Sequence, residues 1–335
     1  LSANHNGDIE RAFAVIAAAK EAGADAVKLQ TYTADTLTID HHGPGFRIEH
    51  GPWHGRTLYE LYGEAATPWE WHEALFAKGC ELGIEVFSSP FDATAVALLE
   101  SLDAPAYKIA SFENTHLPLI KKVAATGKPM IISTGMASVS EIEETVLTIR
   151  EAGCEQFALL KCTSTYPATP GNSNIRTIPH MRELFNCEVG LSDHTMGFGA
   201  AVAAVAHGAT VIEKHFTLSR AEGGVDSAFS LEPDELKDLV VESKRAWQSL
   251  GHIQFGPTEK EKAYLTAVET LYFSPGDKLQ RDFAYAEYMA RMHERWPDDH
   301  EISIFYALSL LGTVRRGDKG FRRQALAASI SQDIF

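Results

Sequence analysis

The stretch GLSDHTMG at residues 190–197 and its counterpart VIEKHFTLSR at residues 211–220 decide the reading of the fold. Each opens as a short apolar run, as expected of a strand buried on both faces of a parallel sheet, and each ends in a histidine. Between them lies FGAAVAAVAHGA, an alanine-rich helical segment. Strand, helix and strand at that spacing predict neighbouring parallel strands, whose C-terminal ends share one rim in a β/α barrel. His194 and His215 would then stand side by side, offering two imidazoles to one divalent cation. Such a pair leaves room for water and substrate oxygens, which suits polarisation of a carbonyl.

Outward from this pair the same unit repeats. DIERAFAVIAAAKEAGADAVKLQ reads as a helix capped by Asp8, closed at Gly23 and followed by the strand AVKLQ. Further helices lead in turn to IEVFSSP, AYKIASFE, PMIISTGM, FALLKCTSTYP, EVGLSDH and TVIEKHF. With LSANHNGD taken as a first strand clipped at its start, eight strands are expected, and the natural N-terminus is read as missing or trimmed. Eight such units point to a (β/α)8 TIM barrel over residues 1–254. A doubly wound open sheet is disfavoured because neither GxGxxG nor GxxxxGK[ST] follows the first strand. After Gly256 the pattern becomes purely helical, in TEKEKAYLTAVETLYF, RDFAYAEYMARMHERW, EISIFYALSLLGTV and FRRQALAASISQDIF. Residues 255–335 are expected to form a small all-helical module of stacked hairpins.

One insertion, residues 31–67, breaks the economy of short connections and is expected to form a lid at the catalytic rim. It carries His41, His42, His50 and His54, but their spacing matches no convincing tetrahedral metal site. Trp53, Trp69 and Trp71 are read as packing for that lid. The net charge of −15 argues against nucleic acid or a membrane surface as partner. Four widely spaced cysteines without a CxxC pair read as reduced thiols of a cytoplasmic protein.

Polar groups within or just beyond barrel strands are costly unless paired or wet, so their concentration marks a site. Lys28, Lys108 and Lys161, with the hydroxyls at the strand ends, describe a pocket for an anion, phosphate and carboxylate together. Glu113, following the strand that bears Lys108, is the candidate general acid or base. Asp226 in GGVDSAFS is a candidate for orienting substrate hydroxyls, with a plain turn acid as the equal alternative. Cys162 beside Lys161 has no assignable histidine base, so thiol catalysis is disfavoured.

At these residues a resemblance emerges. SANHNGD, GADAVKLQTYT, FSSPFD, AYKIASFE, PMIISTGMAS, KCTSTYPA, GLSDHT and IEKHFTLSR resemble the sialic acid synthase family of nonulosonate synthases. HGRTLYELYGEAATPWEWH and GGVDSAFSLEPDE are most similar to its pseudaminic acid branch. The resemblance implies a Mn²⁺- or Mg²⁺-dependent enzyme that condenses phosphoenolpyruvate with an open-chain acetamido sugar. For that branch the sugar is 2,4-diacetamido-2,4,6-trideoxy-L-altrose. Carried onto this chain, it implies metal ligation by His194 and His215 and catalytic tasks for Glu113, Lys28 and Lys108. Phosphoenolpyruvate contacts would come from Lys28, Ser89, Lys108, Ser111, Ser133 and Ser192. Gln30, Glu113, Tyr166 and Asp226 would hold the sugar or move protons, and Phe91 and Ser164 complete the substrate-binding set.

Two departures stand out. The family carries a glutamate just before the SANHN stretch, which this sequence lacks. It also usually continues into an antifreeze-like domain that lends an arginine to the partner subunit. Here helices resembling tetratricopeptide hairpins stand in its place, so a homodimer and a protein ligand of the helical module are the macromolecular partner expectations. The rival readings are N-acetylneuraminate or legionaminate synthase, a barrel that has lost catalysis and binds partners through its helices, and Schiff-base aldolase chemistry.

Overall fold

The computed structural model describes residues 1–250, 259–272, 274–314 and 319–334. It divides into two compact units, Leu1–Gly251 and His252–Phe335. The expected boundary at residues 254–255 lies outside the described residues.

The first unit is built on one parallel sheet with the strands in chain order: β1 (Ala26–Thr31), β2 (Glu85–Pro90), β3 (Tyr107–Ile109), β4 (Met130–Ser133), β5 (Phe157–Cys162), β6 (Glu188–Asp193) and β7 (Ile212–Lys214). The sheet curls as a barrel wall does, and helices cover its outside. In chain order the helices are α1 (Ile9–Glu21), α2 (Ala34–Leu37), α3 (Leu58–Ala65), α4 (His72–Leu82), α5 (Ala93–Ser101), α6 (Leu117–Ala124), α7 (Val139–Glu151), α8 (Thr177–Phe185), α9 (Gly199–Ala206) and α10 (Pro233–Leu250). Of these, α2 and α3 belong to the insertion after β1 and pack on each other, and the others provide the cover. Cover from both sides explains why five consecutive residues of β5 and of β6 are buried. Asp8 caps α1 by accepting from the Glu10 backbone N–H, and Gly23, at φ +91°, turns the chain towards β1. Val15 and Ile16 of α1 are fully buried, each stabilising by about 1.5–3 kcal/mol.

The expected eighth strand is not formed: residues 2–7 take turn conformations, with Ser2 and Asn6 at positive φ. The segment nonetheless bridges the sheet's two edges at the rim. The Leu1 backbone nitrogen donates to the Lys28 carbonyl (3.0 Å) and Asn4 Nδ2 to the Phe216 carbonyl (2.8 Å). Below that bridge, β1 and β7 border a cleft of about 680 Å³ lined by Val15, Ala19, Val27, Ile212, Leu236 and Leu239. A ladder needs a run of extended residues facing a partner, and residues 2–7 are in turn conformation.

Glycine decides one contact that matters for the site. A Cβ at Gly190 would collide with the Val211 carbonyl oxygen, so only glycine lets β6 and β7 approach as they do. In register, Ser192 then faces Glu213 and Asp193 faces Lys214, which brings the two histidines that follow to one rim.

The second unit comprises α11 (Glu259–Tyr272), α12 (Lys278–Arg295), α13 (His300–Gly312) and α14 (Arg322–Ile334), each packed on the next. Asp277 and Asp299 cap α12 and α13. Ala263, Ala267, Met289, Met292 and Ile302 form one core; Ala307, Leu310, Ala327 and Ile330 form another, where the small residues let the helices close up. Among the described residues no helix is long and apolar enough to cross a membrane.

Candidate functional site

A single carboxylate organises the inner floor of the rim. Glu213, on β7, lies 3.2 Å from Lys28 Nζ and 3.7 Å from Lys108 Nζ, and accepts a hydrogen bond from Ser192 Oγ at 2.9 Å. Lys108 also donates to Ser133 Oγ (2.7 Å) and to the Ile109 carbonyl (3.1 Å). Burial alone would raise the Glu213 carboxyl, but the two ammoniums and the Ser192 hydroxyl hold it well below the usual carboxylate range. Burial brings Lys108 down to about 8 against the pull of Glu213. Two ammoniums against one carboxylate leave the floor cationic. Hydroxyls surround it: Ser89 Oγ is buried without a partner, and Ser111 and Ser164 both crowd Gly135, where a Cβ would collide with Ser111. An anion is the ligand such a floor lacks.

Beside this floor the imidazoles of His194 and His215 lie with ring centroids 5.3 Å apart and planes inclined by 53°. His194 Nδ1 sits 3.2 Å from the Thr163 carbonyl, which can only accept, so that nitrogen carries the proton. His215 Nδ1 lies 3.5 Å from the Asp226 carboxylate without completing a hydrogen bond. Burial keeps His215 below the usual histidine range, with Asp226 opposing. In both rings Nδ1 is engaged from outside, and among the described residues neither Nε2 has a hydrogen-bond partner. A carbonyl or carboxylate behind the far nitrogen is how metal-ligating histidines are commonly oriented. Among the described residues no group of three or more His, Cys, Asp or Glu gathers as a ligand cluster.

The pair is held by the residues between. Lys214 Nζ donates to Asp193 Oδ2 (3.0 Å), the Thr195 carbonyl (2.6 Å) and the Gly197 carbonyl (2.9 Å), while Asp193 Oδ1 accepts from the Thr195 N–H (2.8 Å). Successive residues of a strand point to opposite faces, so this buried clamp fastens the two strand ends from the side away from the imidazoles.

Glu113 ends a single 3-10 turn after β3, and its Oε2 is buried with no hydrogen-bond partner. Burial lifts its carboxyl to about 7, with its own backbone N–H and Lys108 opposing. Tyr166 lies 4.5 Å from the His194 ring, and Asp226 and Gln30 are tied to each other through Ser2 Oγ. Phe91 packs on Tyr32 at 5.1 Å, in an apolar cluster that also takes in Ala65 of α3 and Val225. The four histidines of the insertion are exposed and do not gather.

The sequence model of the NeuB family matches residues 15–255. The chain belongs to the NeuB family. Its relatives include the pseudaminic acid synthase of Campylobacter jejuni, 45% identical over 85% of this chain and 83% of that protein. The N,N'-diacetyllegionaminic acid synthase of Legionella pneumophila is 37% identical over 77% and 74% respectively. Among solved structures, the N-acetylneuraminic acid synthetase of Leptospira borgpetersenii, in complex with citrate, superposes with a TM-score of 0.68. It is 31% identical and covers 81% of this chain and 90% of that one.

In this NeuB-family chain two features escaped the reading of residues alone. Glu213 was visible at a strand end, but nothing local showed that it would sit between two lysines brought from β1 and β3. Cys162 Sγ lies 3.9 Å from His194 Nδ1, and although burial opposes it, that imidazole helps bring the thiol down to about 7.

Glu113 yields a stability prediction with a definite sign. Its folded value, about 7, lies above the unfolded value near 4.5, so the native state binds the extra proton between them. The stability this contributes is fully present below about pH 4.5 and is lost as pH rises through 7. Glu113→Gln should therefore be more stable than the parent at pH 8, with the difference shrinking towards pH 4.5. Urea midpoints of both proteins across that range test this, and a difference independent of pH would count against it.

Proposed function

We propose that the chain is a pseudaminic acid synthase, an enzyme condensing phosphoenolpyruvate with 2,4-diacetamido-2,4,6-trideoxy-L-altrose to give pseudaminic acid and phosphate. The observation that carries this reading is the juxtaposition of the Lys28–Lys108 floor with two imidazoles whose Nε2 atoms have no hydrogen-bond partner among the described residues. The choice of acceptor rests on the greater identity to the pseudaminic acid synthase than to the legionaminic acid synthase.

Lys28 and Lys108 hold the phosphate and carboxylate of the enol, with Ser89, Ser111, Ser133 and Ser164 donating to their oxygens, while Ser192 spends its hydroxyl hydrogen on Glu213 and borders the same floor. His194 and His215 would hold a divalent cation, which supplies Lewis-acid polarisation of the sugar aldehyde when bound. Imidazole donors suit Mn²⁺ better than Mg²⁺, which prefers oxygen ligands. The new bond joins C3 of the enol to the aldehyde carbon, water adds at C2, and the C2–O bond to phosphate breaks. Glu113, near neutrality and unpartnered, takes the proton from that water. Gln30, Tyr166 and Asp226 orient the sugar. Lys108 has its ammonium committed to Ser133, the Ile109 carbonyl and Glu213, which argues against a Schiff base there.

Phosphate release by the purified chain with Mn²⁺, phosphoenolpyruvate and each acceptor in turn tests the assignment. Turnover is expected with the altrose derivative. Turnover with N-acetylmannosamine or its diacetamido-trideoxy analogue alone would reassign the enzyme to the sialic or legionaminic branch.

A further inference from the structure

Trp53 ties the insertion after β1 to the site. Residues 46–58 form a short hairpin: Ile48 N donates to Arg56 O (2.9 Å), Gly55 N to Ile48 O (2.9 Å) and Leu58 N to Phe46 O (2.8 Å), with Arg47 and Thr57 bridged antiparallel. Most of it is exposed, so few buried contacts hold it down. Trp53 at its tip is half-buried. Its indole N–H donates to the Val225 carbonyl at 2.7 Å, on the residue immediately before Asp226. Its ring lies 5.8 Å from Tyr166 and 6.1 Å from Phe229. Those rings in turn flank the imidazole pair: Tyr166 is 4.5 Å from His194, and Phe229 is 5.0 Å from His215.

A chain of aromatic rings thus runs from the two histidines to Trp53. Resting on the function just proposed, we propose that Trp53 determines acceptor specificity. With the anion on the lysines and the sugar carbonyl at the imidazoles, the far carbons of the sugar lie along these rings. An indole whose only polar atom is committed to Val225 offers those carbons an apolar face. It favours a 6-deoxy carbon and acetamido methyls, and it leaves a hydroxyl placed there without a partner.

Two variants separate the ring from its hydrogen bond. Trp53→Ala removes both, and Trp53→Phe keeps an apolar ring without the N–H. Trp53→Ala should raise KM for the diacetamido-trideoxy sugar about tenfold, since an apolar contact of this size discriminates by roughly 10–200-fold. KM for phosphoenolpyruvate should stay within twofold, and the preference over N-acetylmannosamine should fall about tenfold. Trp53→Phe should keep most of that preference. Both variants should be cut by trypsin after Arg47 faster than the parent, because the hairpin tip is released; this readout does not depend on turnover. Unchanged acceptor preference in Trp53→Ala, or KM for phosphoenolpyruvate rising in step with that for the sugar, would overturn the specificity role. Unchanged proteolysis would overturn the tether. Absence of turnover by the parent with every acceptor would instead refute the proposed function, and the specificity role with it, while proteolysis still reports on the tether.

Discussion

His194→Ala and His215→Ala should each abolish Mn²⁺-dependent consumption of phosphoenolpyruvate, a loss on the order of 10³-fold, or about 4 kcal/mol of transition-state stabilisation. On the proposed ligation by His194 and His215, removal of either leaves a single imidazole, too few to retain the ion at ordinary concentrations. Both side chains sit at the rim, outside the apolar clusters. The melting temperature of each variant should therefore fall by only a few degrees. Calorimetric titration with Mn²⁺ separates ligation from other roles: neither variant should show the binding isotherm of the parent. A variant that binds Mn²⁺ as the parent does would remove that histidine from the ligand set.

Glu213→Gln should lower stability by about 3 kcal/mol, the low end for breaking a buried ion pair, because Lys28 and Lys108 lose the carboxylate they share. For a domain of this size that is a fall of roughly 6–12 °C in melting temperature. The loss should depend on pH in a way that identifies Lys108. In the parent its folded value, about 8, lies below the ordinary 10.5, so the unfolded state binds more protons between them and stability rises with pH over that window. Without Glu213 the strongest pull opposing the burial of Lys108 is gone, and Lys108 sheds its proton at lower pH. The deficit of the variant should then narrow as pH rises towards 8. A deficit constant from pH 6 to 8 would show that Lys108 does not feel Glu213.

Much of the fold was legible in the chain because burial on two faces leaves a plain mark. IEVFSSP, PMIISTGM and EVGLSDH are short apolar runs separated by helical segments, and each became a parallel strand. The first strand was legible as a motif and still not formed, since residues 1–4 have their partners in Lys28, Phe216 and Ser230 through single bonds and not through a ladder. The helical character of the last eighty residues was likewise evident from spacing.

The site divides along a similar line. Periodicity placed His194, His215, Lys108 and Glu113 at strand ends, because a barrel sends every such end to one rim. Phe91 stood at the same kind of position and yet packs under the insertion, as side-chain direction within a turn is not written in the spacing.

By itself the amino-acid sequence determined the parallel β/α architecture, the helical character of the last quarter of the chain and the residue types at the rim, all of which follow from local periodicity and burial. Only the tertiary structure decided that Glu213 would sit between two lysines, that Lys214 would clamp the loop bearing His194, and that Trp53 would reach Val225. Each joins residues distant in sequence, and the free energy of such contacts depends on distances and solvent exclusion that exist only once the strands have assembled.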